Sequence, residues 1–309
     1  MERYIRKFYF SANGDYDYTS ELLEKTFDIS SDVNILYNLF FKNFFIKLQN
    51  KEFKSYEDIK KNYYKLFFSN EKGFDKTYDS DTILFGSIET SKLRSKDCKE
   101  ADRLNPLIIY CGVFKGGSYY KTKVYNVNNP YIIISLNQDA LFFYFNKYFS
   151  SNLNKNAKIE LRNTLSPKNI KLALTHELSH WLDDSLHGGF LTSLMDLSSW
   201  LENEDILKLK QKNINITYFE INAQVNAIKN LRTQKDLKKW DTLTFEDLFF
   251  EYPSLRRIAQ DIYSKYKKEV LEIWEKYLMK RLARENLLGK NMKHFVNIHK
   301  LNEELFRIY

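Results

Sequence analysis

Residues 166–184 read SPKNIKLALTHELSHWLDD, with one proline at the start and no glycine. Ser166 is a good helix N-cap, and Pro167 is tolerated at the first helical position because its missing N–H would have no partner there. The segment therefore runs as one helix. A spacing of four sets His176 and His180 on one face, one turn apart, with Glu177 adjacent on the wheel. Leu178, Ser179 and Trp181 are uncharged and Leu182 is apolar, as expected of a buried helix. The chain has only five histidines, and three of them fall within residues 176–187. Any fold it adopts must bury this helix and still accommodate two imidazoles and a carboxylate.

The rest of the chain is that of a globular protein. Its 309 residues suffice for one large domain or two modest ones, and 43% are hydrophobic against 28% charged. Tyr and Phe number 22 and 24 while Gly and Pro number 9 and 4, which favours helix-rich packing with aromatic cores and few tight turns. The net charge of +8 does not single out nucleic acid, because basic and acidic residues interleave along solvated helix faces. Cys98 and Cys111 give neither a disulfide framework nor a thiolate cluster. No apolar run with a small-residue cleavage site opens the chain, and none has the length of a membrane span. An intracellular or assembly-associated protein, virion-associated included, is the expectation.

A helix is expected from a Ser31/Asp32 cap through VNILYNLFFKNFFIKLQN, and a second after a Ser55/Asp58 capping box. Residues 71–104 read as a mobile connection with one strand candidate, TILFGSI. The segments PLIIYCGVF and YYKTKVYNV flank Lys115–Ser118 and suggest a hairpin; YIIISLN follows as a third strand, apolar enough to be central or well covered. From Leu255 onward, apolar residues at 255, 258, 262, 266, 270, 273 and 277 form a helical packing stripe.

Two imidazoles and a neighbouring glutamate form the HExxH pattern. Imidazole suits zinc, and a catalytic zinc site keeps one position open for a water that it activates toward a carbonyl. A carboxylate at Glu177 takes the proton and passes it to the leaving group. On these residues, residues 107–230 resemble the zincin metallopeptidases. The metzincin variant does not fit, because Asp183 and Leu186 stand where a glycine and a third histidine belong, and His187 misses by one residue. The gluzincin variant takes its third ligand from a later helix. Of Asp196, Glu202, Glu204, Asp205 and Glu220, the group at 202–205 reads as the charged start of an exposed helix. Glu220 is the only acid in NITYFEINAQVNAIKNL and is expensive to bury unless paired or metal-bound. Ala223 and Ala227 would let its helix approach closely.

The resemblance implies an α+β, predominantly helical fold with a small, mainly antiparallel sheet before the histidine helix. It also implies one Zn2+ per chain on His176, His180 and Glu220, with Glu177 as general base; Tyr218, two residues before Glu220, is a candidate oxyanion donor by its position. The zincin strand that pairs with extended substrate corresponds to YIIISLN. The chain divides into a helical region at 1–104, a catalytic core at 105–235 and a helical region at 236–309, or forms one continuous domain. Asp184 is placed either to orient a ligand imidazole or to be solvated, and His187 either to contact substrate or to sit in a plain loop. The expected activity is zinc-dependent peptide hydrolysis on a protein or peptide substrate, without membrane or nucleic acid. The alternatives are a structural or assembly protein, for example phage-associated, that keeps the fold with little activity, and a non-peptidic metallohydrolase.

Overall fold

A computed structural model describes residues 29–63, 83–90, 108–114, 120–123, 131–148, 154–187, 204–205, 207–208, 218–233 and 235–292. The first helix, α1 (Ile29–Leu36), passes through a π-helical segment (Tyr37–Phe41) into α2 (Lys42–Gln49). Asp32 does not cap α1; it is buried within the first turn, where a carboxylate faces the positive end of the helix dipole. The capping box before α3 (Tyr56–Tyr63) is present. Asp58 N–H donates to Ser55 Oγ at 3.2 Å and Ser55 N–H donates to Asp58 Oδ2 at 3.1 Å.

Four strands follow: β1 (Ile83–Glu89), β2 (Ile108–Phe114), β3 (Tyr120–Lys123) and β4 (Tyr131–Asn137). They form one mixed sheet in the order β1-β2-β4-β3, in which β2 and β4 are parallel and the outer pairings antiparallel. The strand predicted at TILFGSI is β1. The predicted hairpin is not formed, because β4 lies between β2 and β3. Ile132 and Ile134 of β4, which share one face, are fully buried, and β4 pairs with β2 on one side and β3 on the other. The short β3, with Lys121 and Lys123, suits an edge. YIIISLN is thus an interior strand and cannot receive a further strand; among the described residues β3 holds that edge.

β1 carries a bulge between Leu84 and Gly86, opposite Gly112 and Cys111. A Cβ on Gly112 would run into the Ile83 carbonyl oxygen and lie 3.0 Å from Leu84 Cα, so only glycine permits this close approach. Cys111 beside it is a free, buried thiol whose pKa burial pushes well up.

After the sheet come α4 (Gln138–Phe143), a π-helical segment (Tyr144–Tyr148), α5 (Lys155–Thr164) and the long α6 (Pro167–His187) that carries the histidines. Then follow α7 (Tyr218–Thr233), α8 (Leu237–Trp240), α9 (Phe245–Glu251) and α10 (Pro253–Arg284). The sheet and the helices before α6 enclose one hydrophobic core with a strong aromatic component, including Phe44 and Phe85 at 5.0 Å and Phe41 edge-on to Phe85 at 5.6 Å. Helices α7 to α10 enclose a second, which takes in the predicted stripe from Leu255 to Tyr277. Ile170, Ala173, Leu174, Leu178 and Trp181 of α6 belong to the first core, whereas Leu172 belongs to the second. The histidine helix is the shared wall.

Asp205 departs from its expected exposed position. It is 7% exposed and accepts from Tyr277 Oη at 3.0 Å and Lys276 Nζ at 3.1 Å, both on α10. The start of α6 is also held by charge. Glu251 at the end of α9 pairs with Lys168 and, at 2.6 Å, with Lys235. Burial first, and then the Lys235 ammonium, pull the Lys168 amine down to about 8.

Two stability predictions follow from this packing. Gly112→Ala should cost about 2 kcal/mol in urea unfolding, through overpacking at the bulge. Glu251→Gln, which leaves two ammonium groups facing each other, should cost about 1–2 kcal/mol near neutral pH. The folded chain releases the Lys168 proton at about 8, whereas the unfolded chain keeps it to about 10.4. The wild-type pair therefore loses its cation within this window, and the Glu251→Gln deficit should narrow above about pH 8.

Candidate metal centre

Ser166 caps α6 as predicted, its Oγ accepting from Asn169 N–H at 3.2 Å, with Pro167 as the first helical residue. Ten residues further along, His176 and Glu177 are fully buried and His180 is partly exposed. The helix is packed on several sides, against α1, α5, α7, β3 and β4.

One ligand atom from each of His176, Glu177 and His180 lies within 4.8 Å of the others. The two histidine Nε2 atoms are 3.1 Å apart, and the rings stand at 90° with centroids 4.7 Å apart. A cation held tetrahedrally at about 2.0–2.1 Å from two nitrogens separates them by about 3.4 Å. The observed pair converges to within a few tenths of an ångström of that. Glu177 Oε1 lies 3.9 Å from His176 Nε2, close to the pair but outside hydrogen-bond reach of that nitrogen. Two imidazoles and a fully buried carboxylate form a donor set that fits a divalent ion, because imidazole and carboxylate are both ligands for such an ion and a cation offsets the cost of burying the carboxylate's charge. Of the predicted site residues, His176, Glu177 and His180 are brought together in a group that could hold a metal ion.

Helix α7 lies alongside. Asn226 Nδ2 donates to Ser179 Oγ at 3.2 Å and Asn230 Nδ2 donates to Thr175 Oγ1 at 2.6 Å, so the two helices run antiparallel. Ala223 and Ala227 are fully buried. Tyr218 and Glu220 stand in the first turn of α7, which therefore begins on the His180 side of the histidine pair. Their side chains lie outside the described residues, as do those of Asp183, Asp184 and His187 at the end of α6. His294, His299, Asp196 and Glu202 also lie outside the described residues. Glu204 is exposed, and Asp205 is engaged with α10.

Two features of this region escape sequence reasoning. One is the Asn–hydroxyl seam between α6 and α7. The other is Gln224, one turn after Glu220, whose amide is fully buried and finds no hydrogen bond among the described residues. A signal for the seam was present in the four-residue spacing shared by Thr175 and Ser179 and by Asn226 and Asn230, but only the packed helices make them partners.

No protein-family model matches this chain, and no curated protein or solved structure matches it either. Among the described residues, no helix is long and apolar enough to cross a membrane. The chemistry of the site therefore rests on its own geometry.

Metal-free protein titrated with Co2+ or Zn2+ should bind one ion per chain and gain thermal stability. At free metal one hundred times the dissociation constant the gain is about 2.7 kcal/mol. His176→Ala and His180→Ala should each abolish the stabilisation, measured by calorimetry with and without metal.

Proposed function

We propose that the chain is a zinc-dependent peptidase of zincin type, with His176, His180 and Glu220 as metal ligands and Glu177 as the general base. The observation that carries this reading is a fully buried Glu177 beside two imidazole nitrogens that converge on one point. A helix that buries a carboxylate next to a histidine pair retains the group that hydrolysis needs and that simple metal storage does not. This favours an enzyme over an inert scaffold.

In this reading zinc supplies a Lewis acid that lowers the pKa of water toward about 7 and polarises the substrate carbonyl. The remaining work belongs to the protein. Glu177 removes the proton from the attacking water and returns it to the leaving amine, one carboxylate serving both halves of the reaction. The low-dielectric surroundings of α6 strengthen each charge interaction at the site. Tyr218, in the first turn of α7, is assigned to the oxyanion. An extended peptide laid along the β3 edge gains main-chain hydrogen bonds, and β3 is in contact with α6.

Glu177→Gln should retain zinc and lower peptide cleavage by about 10²–10⁴-fold, the usual range for loss of a general base. Glu220→Ala should lose zinc. Metal analysis of both proteins together with a peptide-library assay checks the reading. Full cleavage by Glu177→Gln, or undiminished zinc in Glu220→Ala, would remove the corresponding residue from the mechanism.

A further inference from the structure

Thr175 and Ser179 directly precede the two histidines and are themselves one helical turn apart. Each donates its hydroxyl proton along its own helix, Thr175 Oγ1 to Lys171 O at 2.8 Å and Ser179 Oγ to Thr175 O at 2.7 Å. Each hydroxyl oxygen is thereby turned into an acceptor. Asn230 and Asn226, also one turn apart on α7, fill these acceptors with amide N–H donors at 2.6 and 3.2 Å. The result is two like rungs, one for each histidine. On the same two helices Leu172, Ala223 and Ala227 are fully buried and Ser179 is 1% exposed, while Asn230 is half-buried.

At the buried Ser179–Asn226 rung an unmade hydrogen bond strands a polar group away from water, and at the half-buried Thr175–Asn230 rung it does so in part. A slip of α7 by one residue breaks both rungs at once. That slip translates the helix by about 1.5 Å and turns each side chain by about 100°. Metal coordination tolerates distance errors of only about 0.2 Å. Any donor that α7 supplies to a metal on His176 and His180 would be lost by such a slip.

We infer that Asn226 and Asn230 are positioning residues for the metal centre, fixing the register of α7 so that its donor meets the ion held by the histidines. This inference rests on the metal-site reading above and on α7 as the source of the third ligand. Hydrogen bonds are directional, so the two hydroxyl–amide rungs select one register of α7 against α6, and both break together when the helix slips.

The test compares Asn226→Ala/Asn230→Ala with Ile228→Ala, a variant of the same helix that weakens packing and leaves the rungs intact. Metal-free stability, Zn2+ affinity by chelator competition and the visible absorption of the Co2+ form are measured on the full chain. The rung variant should bind Zn2+ about 10–100-fold more weakly, the usual effect of removing support behind metal ligands. Its Co2+ spectrum should shift from that of the wild type. Ile228→Ala should lose stability while keeping both its Zn2+ affinity, within about threefold, and its Co2+ spectrum. Equal loss of affinity in the two proteins, or wild-type affinity and spectrum in the rung variant, would overturn the positioning role alone. A wild-type chain that binds neither metal would overturn the metal-site reading and this inference with it. If the rung variant fails to fold, Asn226→Ala alone carries the same comparison through the weaker, 3.2 Å rung.

Discussion

The structure depends on the burial of α6. This helix offers apolar side chains to two hydrophobic cores, and it carries a fully buried histidine and a fully buried glutamate between them. A helix buried on every side through residues 172–179 depends on other elements to enclose it. Here the sheet, α1 and α5 enclose one side and α7 the other. Polar groups drawn inside by this enclosure must be satisfied there, because water no longer reaches them. The hydroxyls at 175 and 179 are satisfied by their own helix and by α7, and the imidazoles lie nitrogen to nitrogen. The same burial thus creates the hydrophobic wall and the polar cluster.

What could be read from the sequence was local. Ser166 before Pro167 and Ser55 before Asp58 announced helix starts because capping depends on atoms three residues apart. The HELSH spacing announced a shared face for the same reason. The apolar stripe from Leu255 to Tyr277 covers enough turns to fix its periodicity. What was misread was non-local. Glycines between β2 and β3 look like a hairpin turn, yet β4, a strand that follows both in the chain, lies between them. Asp205 looked solvated because its partners, Tyr277 and Lys276, lie more than seventy residues away. Asn226 and Asn230 looked like ordinary polar helix residues because the hydroxyls they bind belong to another helix.

The candidate site shows the same division. His176, Glu177 and His180 come from one helix and were legible together. In the proposed site the donor that completes the coordination comes from α7, and its identity depends on how the two helices pack. Glu220 was chosen from the sequence by being a lone acid in apolar surroundings, an argument about cost rather than geometry. The packed helices add a register, and they add Gln224 as a buried amide on the same stripe. A carboxylate and an amide differ in what they do to a dication. The carboxylate cancels one charge and leaves a site with net +1, whereas the amide leaves the full charge on the ion and makes it the stronger Lewis acid.

Sharing α6 between two cores also decides how metal and stability are coupled. If the histidines stood on a surface loop, an ion there would stabilise only the loop. On α6 it bridges residues one turn apart on a helix that belongs to both cores, so the free energy of binding is added to the cooperative unit and not to a local one. The coupling runs in both directions. On the proposed reading, loosening the α6–α7 seam would weaken the site, and occupancy of the site would hold the seam in register. Rigid placement by a packed interior is what a hydrolytic centre requires, because a displacement of about 1 Å is enough to lower the rate by about a hundredfold. The proposed metal centre and the junction of the two cores thus form one structural element, with the two asparagine rungs as its proposed alignment.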